Sequence, residues 1–355
     1  EFGNELYDFE NITAAAGIRE LQHVVMDVFG ADTGQNFQLL GPDVARWKEG
    51  PFMTEFVELT KDVLYGLTWH SYPLGPSYLL DDSSSNHSAH QQHLVDQMMR
   101  PDKVETLGQK QVRHIVQSHD TAISKLKLIM GESGGAYNSG HNGLSNRFID
   151  SFWYLKSMAI LAQNHHDMFC RQTLIGGYYE LIDHETFTPN PSYFAARLFA
   201  KLMGRQVWHV QVNHELESSS RQQQQEEPKQ YHGYQRVFAH CSKHHGGQLT
   251  LLILNYSPNS TAVLNQIDGM LPNNLVPRDE YIMTAPNLTS KIVFLNGREL
   301  TLDDSDCTAD TGCFAHLNPN TVVDSDNRIS VPPHAYAFVQ FAKESTISKK
   351  KCGGS

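Results

Sequence analysis

The feature that most constrains this chain is an alternation carried through its first two hundred residues. Short apolar runs, each ending on polar or aromatic residues, are separated by segments with the three- and four-residue spacing of helices. Residues 37–40 lead into Gly41-Pro42-Asp43, and 63–70 close on Trp69 and His70. Residues 126–130 run into Gly131-Glu132, and 168–175 into Gly176-Gly177. Between them lie helical candidates at 14–29, 52–60, 90–118 (interrupted by Pro101), 146–163 and 192–203. The segment 146–163 is the clearest, with Phe148, Phe152, Leu155, Ala159 and Ala162 on one face. Strand–helix units of roughly 30–40 residues predict a parallel sheet or barrel.

After about Gly204 the texture changes. Apolar runs at 206–212, 235–241, 248–255, 261–265, 291–295 and 335–341 alternate with turn residues and read as an antiparallel sandwich. The Gln-rich stretch 218–230 reads as a polar loop. The division predicted is therefore residues 1–204, part of a (β/α)₈ barrel, and residues 205–355, a β-sandwich.

The charge bears on possible partners. The 28 Lys and Arg are outnumbered by 39 Asp and Glu, a net charge of −11, which disfavours nucleic acid at neutral pH. The 19 histidines make that balance conditional: protonating all of them would carry the formal charge to +8. With reference pKa values of about 6.5, much of that set would charge near pH 5. No apolar run is long enough for a transmembrane helix. The opening residues Glu1-Phe2-Gly3-Asn4-Glu5 are not a secretory signal and start in what reads as a strand end, which predicts a chain lacking its natural beginning.

Cys307 and Cys313 flank a short Asp/Thr/Gly stretch suited to a small disulfide loop; Cys241 and Cys352 would then form a long bridge, with Cys170 outside both. The alternative is five reduced thiols in a cytosolic protein. Asn-x-Ser/Thr sequons at Asn11, Asn86, Asn255, Asn259 and Asn287 favour a secretory or lysosomal protein.

In a (β/α)₈ barrel the C-terminal strand ends form the active-site face. Two of them present a glutamate directly, Glu5 and Glu132, 127 positions or about three βα units apart. Such a pair could face across a barrel mouth and divide the work of glycoside hydrolysis, one carboxyl protonating the leaving oxygen and the other attacking the anomeric carbon. A single Glu at a strand end is commonly a solvated or capping residue; the pair, with aromatic strand ends around it, carries the inference. Sugar faces pack on aromatic rings.

These strand ends lie in motifs that resemble a known family. Glu1-Phe2-Gly3-Asn4-Glu5, Leu40-Gly41-Pro42-Asp43-Val44, Thr68-Trp69-His70-Ser71-Tyr72 and Gly131-Glu132-Ser133-Gly134-Gly135-Ala136-Tyr137 are similar, in order, to landmarks of the heparanase family of retaining endo-β-glucuronidases. Arg171-Gln172 with the run from Gly176 to Asp183 resembles that family's eighth strand, and Arg236–Cys241 its sandwich. The resemblance implies Glu5 as acid/base, Glu132 as nucleophile and Asn4 as a hydrogen-bond donor to the sugar. It implies that Tyr72 orients Glu132, that Tyr179 and Gly177 bind uronate, and that His70 lines the cleft. Arg46 and Lys48 become the candidates for sulfate or carboxylate, and Cys241 pairs with Cys352. Asn138-Ser139-Gly140 stands where the family has a glycine run. The family's first three strands have no counterpart, so the missing barrel segment would lie upstream or arrive as a separate small subunit.

His87, His90 and His93, spaced three apart on a Gln- and Ser-rich segment, read as a solvated face rather than a metal site, and His165-His166-Asp167 and His244-His245 form further clusters. In Gly131-Glu132-Ser133-Gly134-Gly135 the serine is off the central position of a nucleophile elbow. No metal and no cofactor is expected. The reading is thus a glycoside hydrolase of uronate-containing or heparan sulfate-like glycans, secreted or lysosomal, with association to membrane or matrix through those glycans. The alternative is a non-catalytic glycan-binding relative, which has no reason to keep both Glu5 and Glu132.

Overall fold

The structure, a computed structural model, describes residues 4–5, 11–34, 36–45, 51–77, 87–102, 123–212, 233–243, 248–264, 277–301, 317–323, 328–342 and 352. Arg46, Lys48, Cys307, Cys313, Asn86, His244, His245 and the loop 218–230 lie outside the described residues. The chain forms two compact units that interleave in sequence: Glu1–Ser83, Glu105–Ser145 and Ser157–Glu180 in the first, Ser84–Val104, Asn146–Lys156 and Leu181–Ser355 in the second.

In the first unit four strands pair in parallel in sequence order: β1 (Leu39–Val44), β2 (Leu64–His70), β3 (Lys127–Ser133) and β4 (Met168–Arg171). The register runs Leu39 to Leu64, Leu67 to Leu128 and Ile129 to Met168. Strands of a covered parallel sheet are apolar on both faces, and β2 is buried at all positions but Tyr65. Helix α1 (Asn11–Phe29) lays Ala14, Ala15 and Ile18 on the sheet, and α2 (Phe52–Thr60) adds Met53, Phe56 and Val57. With Leu64, Leu67, Trp69, Leu128 and Met130 they form one apolar core. A side chain on Gly41 would meet Ile18 at 2.9 Å, so α1 seats on β1 only because that position is bare.

The strand ends differ from the sequence expectation in ways that matter for the site. β1 continues through Gly41-Pro42-Asp43 to Val44 instead of turning there, and β3 carries Glu132 within the strand. β4 stops at Arg171, well before residue 175. The helix expected at 146–163 begins at Asp150 as α3 (Asp150–Gln163).

The second unit is dominated by an eight-stranded sheet. Its strands are β5 (Met203–Trp208), β6 (Gln235–Ser242), β7 (Leu249–Asn255), β9 (Arg278–Thr284), β10 (Phe294–Leu295), β11 (Arg298–Glu299), β12 (Asn320–Val322) and β14 (Ala335–Phe341). They run in the order β11-β10-β9-β14-β7-β6-β5, with β12 also on β9. A two-stranded ribbon of β8 (Ala262–Leu264) and β13 (Ile329–Val331) packs against it through Ala262, Ile329, Val331, Ile253 and Val339. Every residue of β7 and β14 is buried. The strand expected at 206–212 lies earlier, as β5, and the central β9 falls where no strand was predicted. Cys241 and Cys352 form a disulfide with Cα atoms 5.8 Å apart. Among the described residues no helix is long and apolar enough to cross a membrane.

Candidate active site

Parallel strands end together, so their last residues converge on one edge of the sheet. Asp43 ends β1 but for one residue, His70 ends β2, and Glu132 is the penultimate residue of β3. Glu5 joins them from the segment before α1, its backbone N–H donating to the Asp43 carbonyl at 2.8 Å. Carboxylate oxygens of Glu5 and Glu132 and a ring nitrogen of His70 all lie within 4.8 Å of one another.

Each carboxylate has its own partner. The Tyr72 hydroxyl donates to Glu132 Oε1. His70 Nδ1 lies 3.2 Å from Glu5 Oε1, and its Nε2 lies 2.8 Å from Asp43 Oδ1. The imidazole, only 1% exposed, thus sits between two carboxylates behind the site rather than lining an open cleft. Burial alone would push His70 down, but the hydrogen bonds and charges of Asp43, the Glu5 bond and the Glu132 charge outweigh it and lift the imidazole to about 9. Burial, reinforced by Glu132, pushes the Tyr72 phenol far above its ordinary value, so it keeps its proton and donates it to Glu132.

The rim is built from left-handed backbone. Asn138, Ser139 and Gly140 all have positive φ, 60°, 73° and 73°, so the two non-glycine residues adopt the conformation that glycine takes without strain. The Ser139 carbonyl accepts the Tyr178 N–H at 2.6 Å, tying this loop to the one after β4. A side chain on Gly134 would meet the Gln172 carbonyl at 2.7 Å and the Tyr179 ring at 2.9 Å. Tyr179 is buried, and its carbonyl accepts Arg171 Nη2 at 2.7 Å. Gly177, φ +71°, is half-buried beside it.

Of the sequence-predicted residues the structure brings together two hydrogen-bonded pairs, Glu5 with His70 and Tyr72 with Glu132, whose two glutamates and imidazole lie within 4.8 Å of one another. Asn4 is exposed beside Glu5, and Tyr179 and Gly177 flank the loop 138–140. Ser133 is not a nucleophile in waiting: its Oγ donates to the Ser71 carbonyl at 2.6 Å. His166 is structural too, accepting the Trp69 indole N–H at 3.1 Å, and burial pushes it down to about 4. Sequence reasoning missed Asp43, which it placed at a strand end and gave no role. Glu5, His70 and Glu132 lie close together, but both ring nitrogens of His70 are engaged by the carboxylates of Glu5 and Asp43, so the group reads as a hydrogen-bonded carboxylate site.

Residues 1–159 match the model of the glycosyl hydrolase family 79 N-terminal domain. The chain is 34% identical over 285 residues to heparanase-like protein 1 of Arabidopsis thaliana, covering 71% of this chain and 46% of the relative. It is 32% identical over 292 residues to the baicalin-beta-D-glucuronidase of Scutellaria baicalensis, covering 81% and 47%. The chain thus spans about half the length of the curated relatives it matches. The solved structure of a 4-O-alpha-L-rhamnosyl-beta-D-glucuronidase from Fusarium oxysporum aligns with a TM-score of 0.57 at 13% identity, over 96% of this chain and 69% of that one. That likeness is one of fold: a barrel-type glycosidase with a sheet-rich C-terminal part.

Proposed function

This chain belongs to the heparanase family, within glycosyl hydrolase family 79, and from that premise we propose that it carries the catalytic pair of a retaining β-glucuronidase. The observation that carries the reading is the approach of Glu5 and Glu132, with oxygens within 4.8 Å and a separate partner for each carboxylate. Inverting glycosidases hold their carboxyl groups about 6.5–9.5 Å apart to admit a water, so the approach of the nearest oxygens to within 4.8 Å supports the retaining reading. In the proposed sequence Glu132 Oε attacks the anomeric carbon while Glu5 gives its proton to the departing glycosidic oxygen. Water then enters, Glu5 takes its proton, and the Glu132 ester is released.

The substrate class proposed is a β-glucuronidic linkage in a heparan sulfate-like or other uronate-containing glycan. It rests on the family and on relatives named as a heparanase-like protein and a glucuronidase. Asn4, Tyr179 and Gly177 are assigned to the sugar, and Arg46 and Lys48 to its anionic groups. We carry the incomplete barrel in the same proposal, because the described residues supply four paired parallel strands where closure takes eight. The disulfide supports a secreted or lysosomal setting.

The test is turnover of 4-nitrophenyl β-D-glucuronide and of a uronate polymer, with the first-formed anomer read by NMR. Polypeptide extended upstream should release the β-anomer, with an acidic optimum, and should bind an anionic glycan column at pH 5 more than at pH 7.5. Release of the α-anomer, or no turnover by the extended polypeptide, would remove the reading.

A further inference from the structure

Asp43 reaches Glu5 by two routes. Its carbonyl accepts the Glu5 N–H at 2.8 Å, and its carboxylate holds His70 Nε2 at 2.8 Å, whose Nδ1 in turn meets Glu5 Oε1 at 3.2 Å. The result is a closed ring that grips Glu5 at backbone and carboxyl group together. Asp43 is itself fixed from behind, its N–H donating to the buried Thr68 Oγ1 at 3.0 Å, and is 5% exposed. Both residues joined by the backbone bond have left-handed backbone, φ 54° at Asp43 and 52° at Glu5. For side chains with a Cβ that conformation is strained, and it persists where the surroundings over-determine it.

We propose that Asp43 is a positioning residue of the active site, which acts through His70 to fix the direction in which Glu5 presents its carboxyl group. This rests on the glycosidase reading for its consequence, though not for its geometry. Glu5 is the more exposed end of the ring, and its carboxylate is held by His70. A free glutamate samples several rotamers, and a general acid must lie within hydrogen-bond reach of one oxygen. The imidazole removes that freedom, and Asp43 removes the imidazole's own. The charged groups facing His70 are Asp43, Glu5 and Glu132, so one cation serves three carboxylates and Asp43 is the buried one that cannot be replaced by water. Asp43→Asn keeps the shape and an acceptor for Nε2–H while deleting the charge, whereas Asp43→Ala deletes both.

Two readouts separate this proposal from the function beneath it. The first needs no turnover: imidazole ¹⁵N and ring-proton NMR of His70, assigned with His70→Gln, in the wild-type chain and in Asp43→Asn. The ring should hold both protons through neutral pH in the wild type and lose one at a pH at least one unit lower in the variant. The second is turnover of 4-nitrophenyl β-D-glucuronide by the extended polypeptide. Asp43→Asn should lose about tenfold to a hundredfold in kcat with KM within about twofold, and the alkaline limb should move to lower pH. A folded Asp43→Asn with wild-type kcat and pH profile overturns the proposal. So does a His70 ring with a single proton at pH 7 in the wild type, which needs no variant to fold. If the wild type turns over no glucuronide, the function falls and the NMR arm alone decides the role of Asp43.

Discussion

Two buried polar residues, Asn255 in the second unit and Asp43 in the first, are satisfied in different ways. In the second, Asn255 is wholly buried, and its amide nitrogen donates to the carbonyls of Ser260, Val331 and Pro332 while its oxygen accepts the Ser257 N–H. These partners are backbone groups, and the side chain acts as a brace between turns. In the first unit Asp43, His70 and Glu5 bond to one another through their side chains, and Tyr72 bonds to Glu132 close beside them. Side chain–side chain bonds are the minority in folded proteins, because backbone groups satisfy a buried polar group with less ordering of long side chains. A cluster made of them, ionisable and at the convergent ends of parallel strands, is what a reacting site requires and a fold does not.

The sharpest way to break that contrast is Glu132→Gln. Gln keeps the shape and an oxygen for the Tyr72 hydroxyl, but cannot attack an anomeric carbon. With Glu132 as nucleophile, kcat of the extended polypeptide should fall by at least about a thousandfold with the melting temperature unchanged. A variant retaining a tenth of the activity would place the nucleophile elsewhere and reduce the cluster to architecture.

The next test asks how far the cluster also stabilises its own unit. His70 is raised to about 9 in the folded chain against about 6.5 unfolded. A group raised on folding contributes stability that is fully present below the unfolded value and lost as pH climbs through the folded one. The stability gap between wild type and His70→Gln should therefore be widest below about pH 6.5 and shrink up to pH 9 and beyond, by on the order of 3 kcal/mol. Urea unfolding at pH 6 and pH 10 measures it. A gap that grows with pH would mean the imidazole is neutral when folded. His70 is one of several histidines that do not follow the reference value: burial holds His166 near 4 and lowers His240 and His334, so the expected charging of much of the set near pH 5 does not extend to these positions in the same way.

On the other side of the comparison, Asn255→Ala should destabilise the second unit by about 2–3 kcal/mol, since it leaves the Ser257 N–H and several carbonyls without their partner. It should leave kcat per folded molecule unchanged. Loss of turnover in a folded Asn255→Ala would show that the brace is coupled to the chemistry.

These contrasts were unevenly legible in the sequence. Apolar runs that end abruptly in Trp69-His70 and Gly131-Glu132 gave away the strand ends, because period and polarity change at one point. Asp43 did not show itself, since Gly41-Pro42-Asp43 carries turn chemistry and only the parallel partner β2 draws it into a strand. Strand β9 was hidden for a related reason: Arg278-Asp279-Glu280 reads as a loop until a buried Arg278–Glu280 pair at 2.6 Å, with the Arg328 carbonyl on the same guanidinium, neutralises it. Asn255 was read as a glycosylation acceptor, whereas its amide is fully committed inside the sandwich; Asn259 and Asn287 are exposed. The interleaving of the units, which divides α3 between Lys156 and Ser157, has no local signal at all.

The smallest effect predicted, Tyr72→Phe, asks whether the partner of Glu132 is comparable with the ring around Glu5. The Tyr72 ring is half-buried and meets Tyr137 edge-on at 6.0 Å, a contact that phenylalanine preserves, so the change removes one hydroxyl and little else. The phenol keeps its proton across the whole working range, so its loss cannot appear as a new pH limb. What disappears is one donor that fixes the direction of the Glu132 oxygens. Glu132 lies within strand β3, whose register with β2 shifts just before it, and has no left-handed backbone, while Glu5 is held in left-handed backbone by its partners. Tyr72→Phe should therefore lower kcat by only about tenfold, about 1.4 kcal/mol of barrier, with KM and pH profile unmoved. A loss as large as that of Glu132→Gln would mean that the hydroxyl touches the sugar as well. A loss equal to that of Asp43→Asn together with a shifted alkaline limb would mean that both carboxylates share one proton network, and the distinction between a strand-held and a ring-held glutamate would no longer stand.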